Sequence, residues 1–438
     1  MVKKKKVTIF WFRRDLRIED NVGLFHSLNS EFPVVPIFIY DENILNTLED
    51  KTDRRVDYIH QVIKQLNNKL LQSDSTIKTF YGNPLHTFKV LTQFYDVKAI
   101  YCNRDYEPEC IRRDMEIYSW AKENNITFKN YKDQVIFDKI EIVKKDGQPY
   151  TIYTPYAKRW KESLTPLDFK TYMPDLSNLL KQEFKNIISL KEIGFNKTDL
   201  KYISPILDSA IIDQYDRYRD FPALQKTTQI GIALRFGTIS IRECVKFALA
   251  HNQIWLNELI WREFFMQILY FYPNVVNESF KNKYDDIQWI NNEEEFNLWC
   301  EGKTGYPLVD AGMRQLNKTG YMHNRVRMIT ASFLCKHLLI DWRWGESYFA
   351  QKLNDFDLSA NNGNWQWVAG SGCDSAPYFR IFNPKLQMQK FDKDFKYIRE
   401  WIPEFNTALY PKEIIEHTHA RNRMNKVYQK ALKSTNFE

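Results

Sequence analysis

The chain of 438 residues lacks most of the patterns that announce a chemistry. Its six cysteines (Cys102, Cys110, Cys244, Cys300, Cys335 and Cys373) are scattered and form no CxxC pair, which argues against a disulfide framework or a thiolate metal cluster and fits reduced thiols in a cytoplasmic protein. No HExxH and no Cys/His pair at zinc spacing occurs, so no metal is expected; His417 and His419, two apart near the end, read as solvated. There is no GxSxG, and no GxGxxG follows the first β-like run, so hydrolase and ordinary dinucleotide readings lose their support. Gly302-Lys303-Thr304 imitates the end of a phosphate-binding loop, but Asn297 stands where the earlier glycine is needed, inside a helical pattern. No hydrophobic run is long enough for a membrane span, and the start, MVKKKKVTIFWFRRD, loses its apolar run after six residues, as a basic tail before a strand would.

What is present is a globular composition, 44% hydrophobic and 27% charged, with no repeat at a solenoid period. The net charge of +7 admits a nucleic-acid partner without requiring one. Aromatics reach 15%, and of the 12 tryptophans nine follow residue 254, a concentration that fits either a rich core or an aromatic-lined cavity.

Short β-rich runs at 7–12, 34–41, 76–82, 99–103 and 126–131 alternate with helical patterns; Val56, Ile59, Ile63, Leu66 and Leu70 recur at helical spacing. That alternation predicts an α/β domain with a doubly wound parallel, Rossmann-like sheet over residues 1–131. Residues 132–200, with a turn signal at Asp146-Gly147 and many lysines, read as a connector wrapping the surface. From about residue 205 the β signal disappears, and TISIRECVKFALA, ELIWREFFMQILYFY, LVDAGMRQL and HNRVRMITASFLCKHLLI carry helical periodicity, so residues 201–438 form an all-α domain. Asn361-Asn362-Gly363 reads as a turn ahead of a helix bearing Trp365 and Trp367, whose spacing of two puts them on different faces. Asp357 is placed to cap a helix beginning at Leu358.

Eight ordered segments carry a specific resemblance: WFRRDLRIEDN (11–21), YTPYAKRW (153–160), RDFPA (219–223), LRFGTIS (234–240), ELIWREFF (258–265), GKTGYPLVDAGMRQL (302–316), HNRVRMITASFL (323–334) and NNGNWQW…APYFRIFNP (361–384). From residue 7 to about 405 the chain resembles the photolyase/cryptochrome family, and within it the class I cyclobutane pyrimidine dimer photolyases. The resemblance implies an α/β domain, a helical domain that binds FAD, and UV-damaged DNA as partner. It implies a light-driven lyase in which excited reduced FAD passes an electron to a flipped-out dimer. The alternative on the same fold is a blue-light photoreceptor of cryptochrome type without repair activity; the intact lesion pocket and the roughly thirty residues after the last motif favour repair. No obligate protein partner and a monomer are expected.

The resemblance also implies roles. Tyr215 and Thr227, Thr228, Gln229, Ile230 and Gly231 match positions that hold the FAD phosphates and ribose, and a helix start suits phosphate. The run TTQIG departs from the family pattern Thr-Ser-Arg-Leu-Ser, losing a hydroxyl and an arginine, which leaves Gln229 and Gly231 mainly their backbone. Trp255 matches a cofactor-pocket indole. Asp355 and Asp357, flanking Phe356, match acids at the flavin's polar edge, with Arg327 expected to pair with Asp355. Asn361 matches the residue facing flavin N5, where an amide can donate or accept. Trp365, Trp342 and Trp289 match the electron-relay tryptophans, innermost first, while Trp367 matches a wall of the lesion pocket.

Arg219, Glu258, Trp261, Arg262, Phe265, Asn324 and Met328 match the DNA and lesion side, with Glu258 as acceptor and Trp261 as stacking face one helical turn away. Relatives that repair the (6-4) photoproduct are expected to carry two histidines where this chain has Asn324 and Met328; His323, read as helical, would point about 100° from Asn324. Relatives hold a folate, a deazaflavin, another flavin or nothing as an antenna in the α/β domain; Glu109-Cys110 in NRDYEPECIRRD departs from the folate-contacting pattern and leaves both presence and identity of a second chromophore open.

Overall fold

The structure is a computed structural model that describes residues 4–184 and 186–434; the first three residues of the basic tail lie outside them. Contacts divide the chain into two units.

The first unit comprises the chain up to Glu141 with Ser163–Leu207 and Gln229–Ala250. Five parallel strands, β1 (Lys5–Phe12), β2 (Val34–Asp41), β3 (Lys78–Gly82), β4 (Tyr95–Asn103) and β5 (Thr127–Tyr131), lie in the order β3-β2-β1-β4-β5. The order doubles back on either side of β1, which is the doubly wound arrangement the alternation predicts. β2 is buried at every position, because a central parallel strand is covered on both faces. Alternation along β1 sends Val7, Ile9 and Trp11 to one core and Phe10 and Phe12 to the other. The expected helical spacing from Val56 to Leu70 lies in the helix Arg54–Leu71, capped by Asp53.

The second unit comprises Ile142–Glu162, Asp208–Thr228 and the chain from His251 onward. Among the described residues it has no strand; its principal helices include Tyr153–Ser163, Gln253–Phe271, Pro307–Thr319, Asn324–Ser332, Trp342–Lys352 and Leu358–Ala369. A core of Trp299, Tyr306, Phe333, Trp342, Phe349 and Trp365 with many aliphatic side chains joins several of them.

These units cut the chain differently from the expected boundaries at 131 and 200. The stretch read as a connector is shared: 142–162 packs in the helical unit, 163–207 in the sheet unit. TISIRECVKFALA is helical over Ile241–His251 as its period predicts, but it belongs to the sheet unit. Arg242 there is buried, with Nε 3.0 Å from Asp20 and Nη2 2.8 Å from Asp133, and a buried cation goes where its carboxylates are.

Three local expectations are corrected. Asn361-Asn362-Gly363 is not a turn: it lies inside the helix Leu358–Ala369, whose N-cap is Asp357 as expected. Gly363 serves close packing instead, since a Cβ there would fall 2.2 Å from the Phe265 ring. His417 is not simply solvated, because its Nδ1 lies 2.9 Å from Nε2 of buried His337. His323 is the N-cap of Asn324–Ser332 rather than a helical residue, its Nδ1 accepting from the Arg325 N–H at 3.2 Å. Gly302, in the false phosphate loop, ends the helix Glu293–Glu301 in the left-handed region, while Thr304 donates to buried Asp310. No described helix is long and apolar enough to cross a membrane. The six cysteines are free, and no group of three metal-ligating side chains exists among the described residues.

Candidate functional site

A cavity of about 370 Å³ lies within the helical unit. It is built mainly by three helices that the sequence marks as amphipathic or aromatic-rich. Gln253–Phe271 contributes Glu258, Trp261, Arg262 and Phe265; Asn324–Ser332 contributes Asn324, Arg327 and Met328; Leu358–Ala369 contributes Asn361, Trp365 and Trp367. The loop before that last helix adds Asp355, Phe356 and Asp357, and Arg219, Phe349 and Leu353 also line it. Glu258, Trp261, Arg262 and Phe265 share a face because they are spaced by three, four and seven.

The polar groups are tied in specific ways. Arg327 Nη2 donates to Asp355 Oδ2 at 2.9 Å, as expected, and its Nε to the Met322 carbonyl at 2.7 Å. Burial works against the Arg327 charge, but Asp355 outweighs it and holds the guanidinium's pKa above its ordinary value. The other carboxylate oxygen, Asp355 Oδ1, is buried and has no hydrogen-bond partner among the described residues. Arg219 is ion-paired with Glu258. Burial pushes the Glu258 carboxyl above the usual range against the pull of Arg219.

Asn361, 9% exposed, donates from Nδ2 to both the backbone carbonyl of Glu346 (3.1 Å) and its Oε1 (2.7 Å). Its amide is thereby oriented with the oxygen turned away from Glu346. Burial raises the Glu346 carboxyl, against the stabilising bond from Asn361. Glu346 was not singled out in the sequence; its spacing of one from Gly345 and its helical context carry no signal for this contact.

The two tryptophans two residues apart do leave the helix differently, but both line this one cavity. Trp365 is 2% exposed and held edge-on by Phe349 (ring centroids 5.0 Å apart) and Trp299 (6.2 Å). Trp367 is half-buried. Trp342 is fully buried in the core and Trp289 partly buried at its edge; neither lines the cavity. Trp255 is buried in the Gln253–Phe271 helix and also lies off the cavity wall.

The expected phosphate-side residues are not gathered there. Tyr215 sits under the Arg219 guanidinium (5.2 Å), and Thr227 Oγ1 lies 3.3 Å from Tyr321 Oη. Thr228 ends its segment of the helical unit, whereas Gln229, Ile230 and Gly231 fall in the sheet unit, with Gln229 at φ +50° and Gly231 opening a six-residue helix.

A flavin fits what lines the cavity. Aromatic and aliphatic walls (Trp365, Phe349, Phe356, Leu353, Val368) suit a planar ring system. Asp355 Oδ1 is a buried acceptor in need of a donor, Arg327 is a fixed cation, and Asn361 offers its free amide oxygen.

Comparison with known proteins bears on this cavity and on the whole chain. Residues 8–175 match the family model described as DNA photolyase, and residues 255–434 match that described as the FAD binding domain of DNA photolyase. The deoxyribodipyrimidine photo-lyase of Synechococcus sp. is 36% identical, over 93% of this chain and 90% of that protein. The crystal structure of a class III photolyase from Agrobacterium tumefaciens superposes with a TM-score of 0.88 at 30% identity, covering 99% of both chains. The archaeal photolyase from Sulfolobus tokodaii, solved with two FAD molecules, gives 0.82 at 34% identity over 97% of this chain and 100% of that one.

Proposed function

This chain belongs to the DNA photolyase family, and we propose that it is a deoxyribodipyrimidine photo-lyase that uses light to reverse cyclobutane pyrimidine dimers in UV-damaged DNA. One observation carries the reading: the residues expected to hold FAD (Arg327, Asp355, Phe356, Asp357, Asn361) and those expected to hold the lesion (Glu258, Trp261, Asn324, Met328, Trp367) line a single cavity. Electron transfer between two bound groups needs them close, and one cavity for both meets that need.

FAD, when bound in its reduced state and excited by light, supplies the electron that opens the cyclobutane ring. The protein's part is to hold, orient and exclude. Asp355 and Arg327 form a neutral pair at the polar edge, so the cofactor meets fixed dipoles and no uncompensated charge. Asn361 presents an oriented amide oxygen. Trp365 is the innermost member of the proposed relay with Trp342 and Trp289, which would carry electrons from an external reductant toward the cofactor pocket; its burial against Trp299 and Phe349 keeps the indole dry. Trp261 and Trp367 supply stacking surface for a base pair taken out of the duplex, and Glu258 an acceptor for its pairing edge.

Asn324 and Met328 also decide between lesions. Neither an amide nor a thioether delivers a proton near neutral pH, and buried His323, its pKa lowered to about 4, is neutral and committed to its cap. The cyclobutane dimer, whose opening takes an electron out and back, is therefore the substrate and the (6-4) photoproduct is not. The phosphate side of FAD falls to Tyr215, Thr227 and Thr228 of the helical unit. The Sulfolobus tokodaii photolyase, solved with two FAD molecules, supports room in this family for a second, light-harvesting chromophore. The protein acts as a cytoplasmic monomer.

The test is direct. Purified protein should show a flavin spectrum, and illumination after reduction should repair an oligonucleotide carrying a cyclobutane dimer but not one carrying a (6-4) photoproduct, with no repair in the dark. Repair of the (6-4) strand, or none of either, would overturn the assignment.

A further inference from the structure

The motif YTPYAKRW carries the resemblance yet has no part in the site as described so far. In the structure it opens the helix Tyr153–Ser163, which packs in the helical unit. Trp160 is buried and donates from Nε1 to Glu263 Oε1 at 2.6 Å, and buried Tyr156 meets Phe264 at 5.2 Å. The segment is thus fastened to the Gln253–Phe271 helix on the side of Glu263 and Phe264, adjacent to the residues that line the cavity.

Its first residue makes the closest aromatic contact. The Tyr153 ring lies flat on the Trp261 indole, centroids 3.6 Å apart and planes 4° from parallel. Its hydroxyl donates to the Asn257 carbonyl at 2.9 Å, one helical turn before Trp261. Its backbone N–H donates to Asp374 Oδ2 at 3.1 Å. Three attachments therefore hold one ring against one face of Trp261, and Phe265 flanks the same indole at 5.5 Å. Trp261 lines the cavity; Tyr153 does not.

We propose that Tyr153 is a positioning residue for substrate selection: it backs the Trp261 indole so that this half-buried side chain presents one fixed face to the cavity. The proposal rests on the reading of the cavity as the lesion pocket. A partly exposed indole without a backing ring samples more than one rotamer, and a base that stacks on it must then bear the cost of ordering it. Intact duplex, which extrudes no base, gains nothing from an ordered wall. Tyr153 therefore acts on the ratio of damaged to intact binding and leaves general affinity for duplex alone.

The experiment uses the flavin-loaded protein, a duplex with one thymine dimer, and the same duplex undamaged, with dissociation constants measured in the dark and repair per flash measured on the saturated complex. A flat aromatic contact over a large buried face is worth enough that Tyr153→Ala should lower the damaged-to-intact ratio by roughly fivefold to tenfold. Flavin content, repair per flash at saturation and binding to intact duplex should not move. Tyr153→Phe, which keeps the ring, should restore the ratio to within about twofold. In the double variant with Trp261→Ala, the Tyr153 change should add nothing further, because its effect runs through that indole. Should Tyr153→Ala fold poorly, Tyr153→Leu removes the flat face while keeping bulk and is read in the same way. An unchanged ratio, a loss that adds to that of Trp261→Ala, or equal weakening on both duplexes would overturn the proposal. Wild-type protein with no preference for the damaged duplex would instead overturn the reading on which it rests.

Discussion

Gly345→Ala sets two known effects against each other at the innermost tryptophan. Gly345 lies inside the helix Trp342–Lys352, where alanine is preferred over glycine by about 1 kcal/mol. A Cβ at that position, however, would fall 2.1 Å from Cη2 and 2.5 Å from Cζ3 of Trp365, and 2.5 Å from Cδ2 of Leu334. Trp365 has little room to give within the core: Phe349 and Trp299 press on it, and it is 2% exposed. It also lines the cavity. Overpacking of this kind costs about 1–3 kcal/mol, and more when the obstructing group is held on its far side. The helix gain offsets part of it, leaving a net loss of up to about 2 kcal/mol, read as a lower urea midpoint at unchanged slope. The indole tip, pushed into the cavity, should also lower the FAD retained per chain, read by absorbance after gel filtration. Gly363→Ala, which meets the Phe265 ring at 2.2 Å, is the parallel case from the opposite helix. A Gly345→Ala protein that is more stable by the full helix propensity, with unchanged flavin content, would refute this account of how Trp365 is seated.

Three further outcomes are expected. Trp365→Phe should abolish photoreduction of oxidised FAD while chemically reduced protein still repairs, because the relay recharges the cofactor and takes no part in the repair electron's path; equal loss of both would remove this residue from the relay. Asn361→Asp places a carboxylate where an amide now contacts Glu346 at 2.7 Å and should cost the reduced cofactor about 1–3 kcal/mol, seen as a lower midpoint potential in spectroelectrochemical titration. Burial holds the His323 pKa near 4 in the folded protein against 6.5 unfolded. The native state therefore favours neutral imidazole; the stability it contributes is present above pH 6.5 and lost as the pH falls toward 4, up to about 3 kcal/mol by linkage. His323→Gln should flatten the slope of stability between pH 7 and 4.5, and an unaltered slope would assign the acid lability elsewhere.

The sheet was legible because parallel strands buried on both faces are written as continuous apolar runs such as VVPIFIYD, and their alternation with helical periods leaves few topologies open. The cavity-lining residues were legible for another reason: eight motifs in a fixed order name positions even when no periodicity does. Asp357 as a cap was readable from residue chemistry alone, whereas the Arg327–Asp355 pair was expected only through the resemblance.

Other features were decided by contacts between residues far apart in the chain. Nothing local in TISIRECVKFALA shows that Arg242 will be buried against Asp20 and Asp133, which moves the helix to the sheet unit. Asn-Asn-Gly has turn chemistry on its own. In the fold the Asp357 cap starts a helix upstream of it, and the space Phe265 demands makes glycine the residue that fits inside. Glu346 and Tyr153 matter only through partners on other helices, Asn361 and Trp261. Periodicity and capping are properties of neighbours along the chain, so the sequence by itself determined the elements and the identity of the residues around the cavity. Which buried charge meets its counter-charge, and which ring lies against which, depends on distances closed only when the helices pack, and that was left to the tertiary structure.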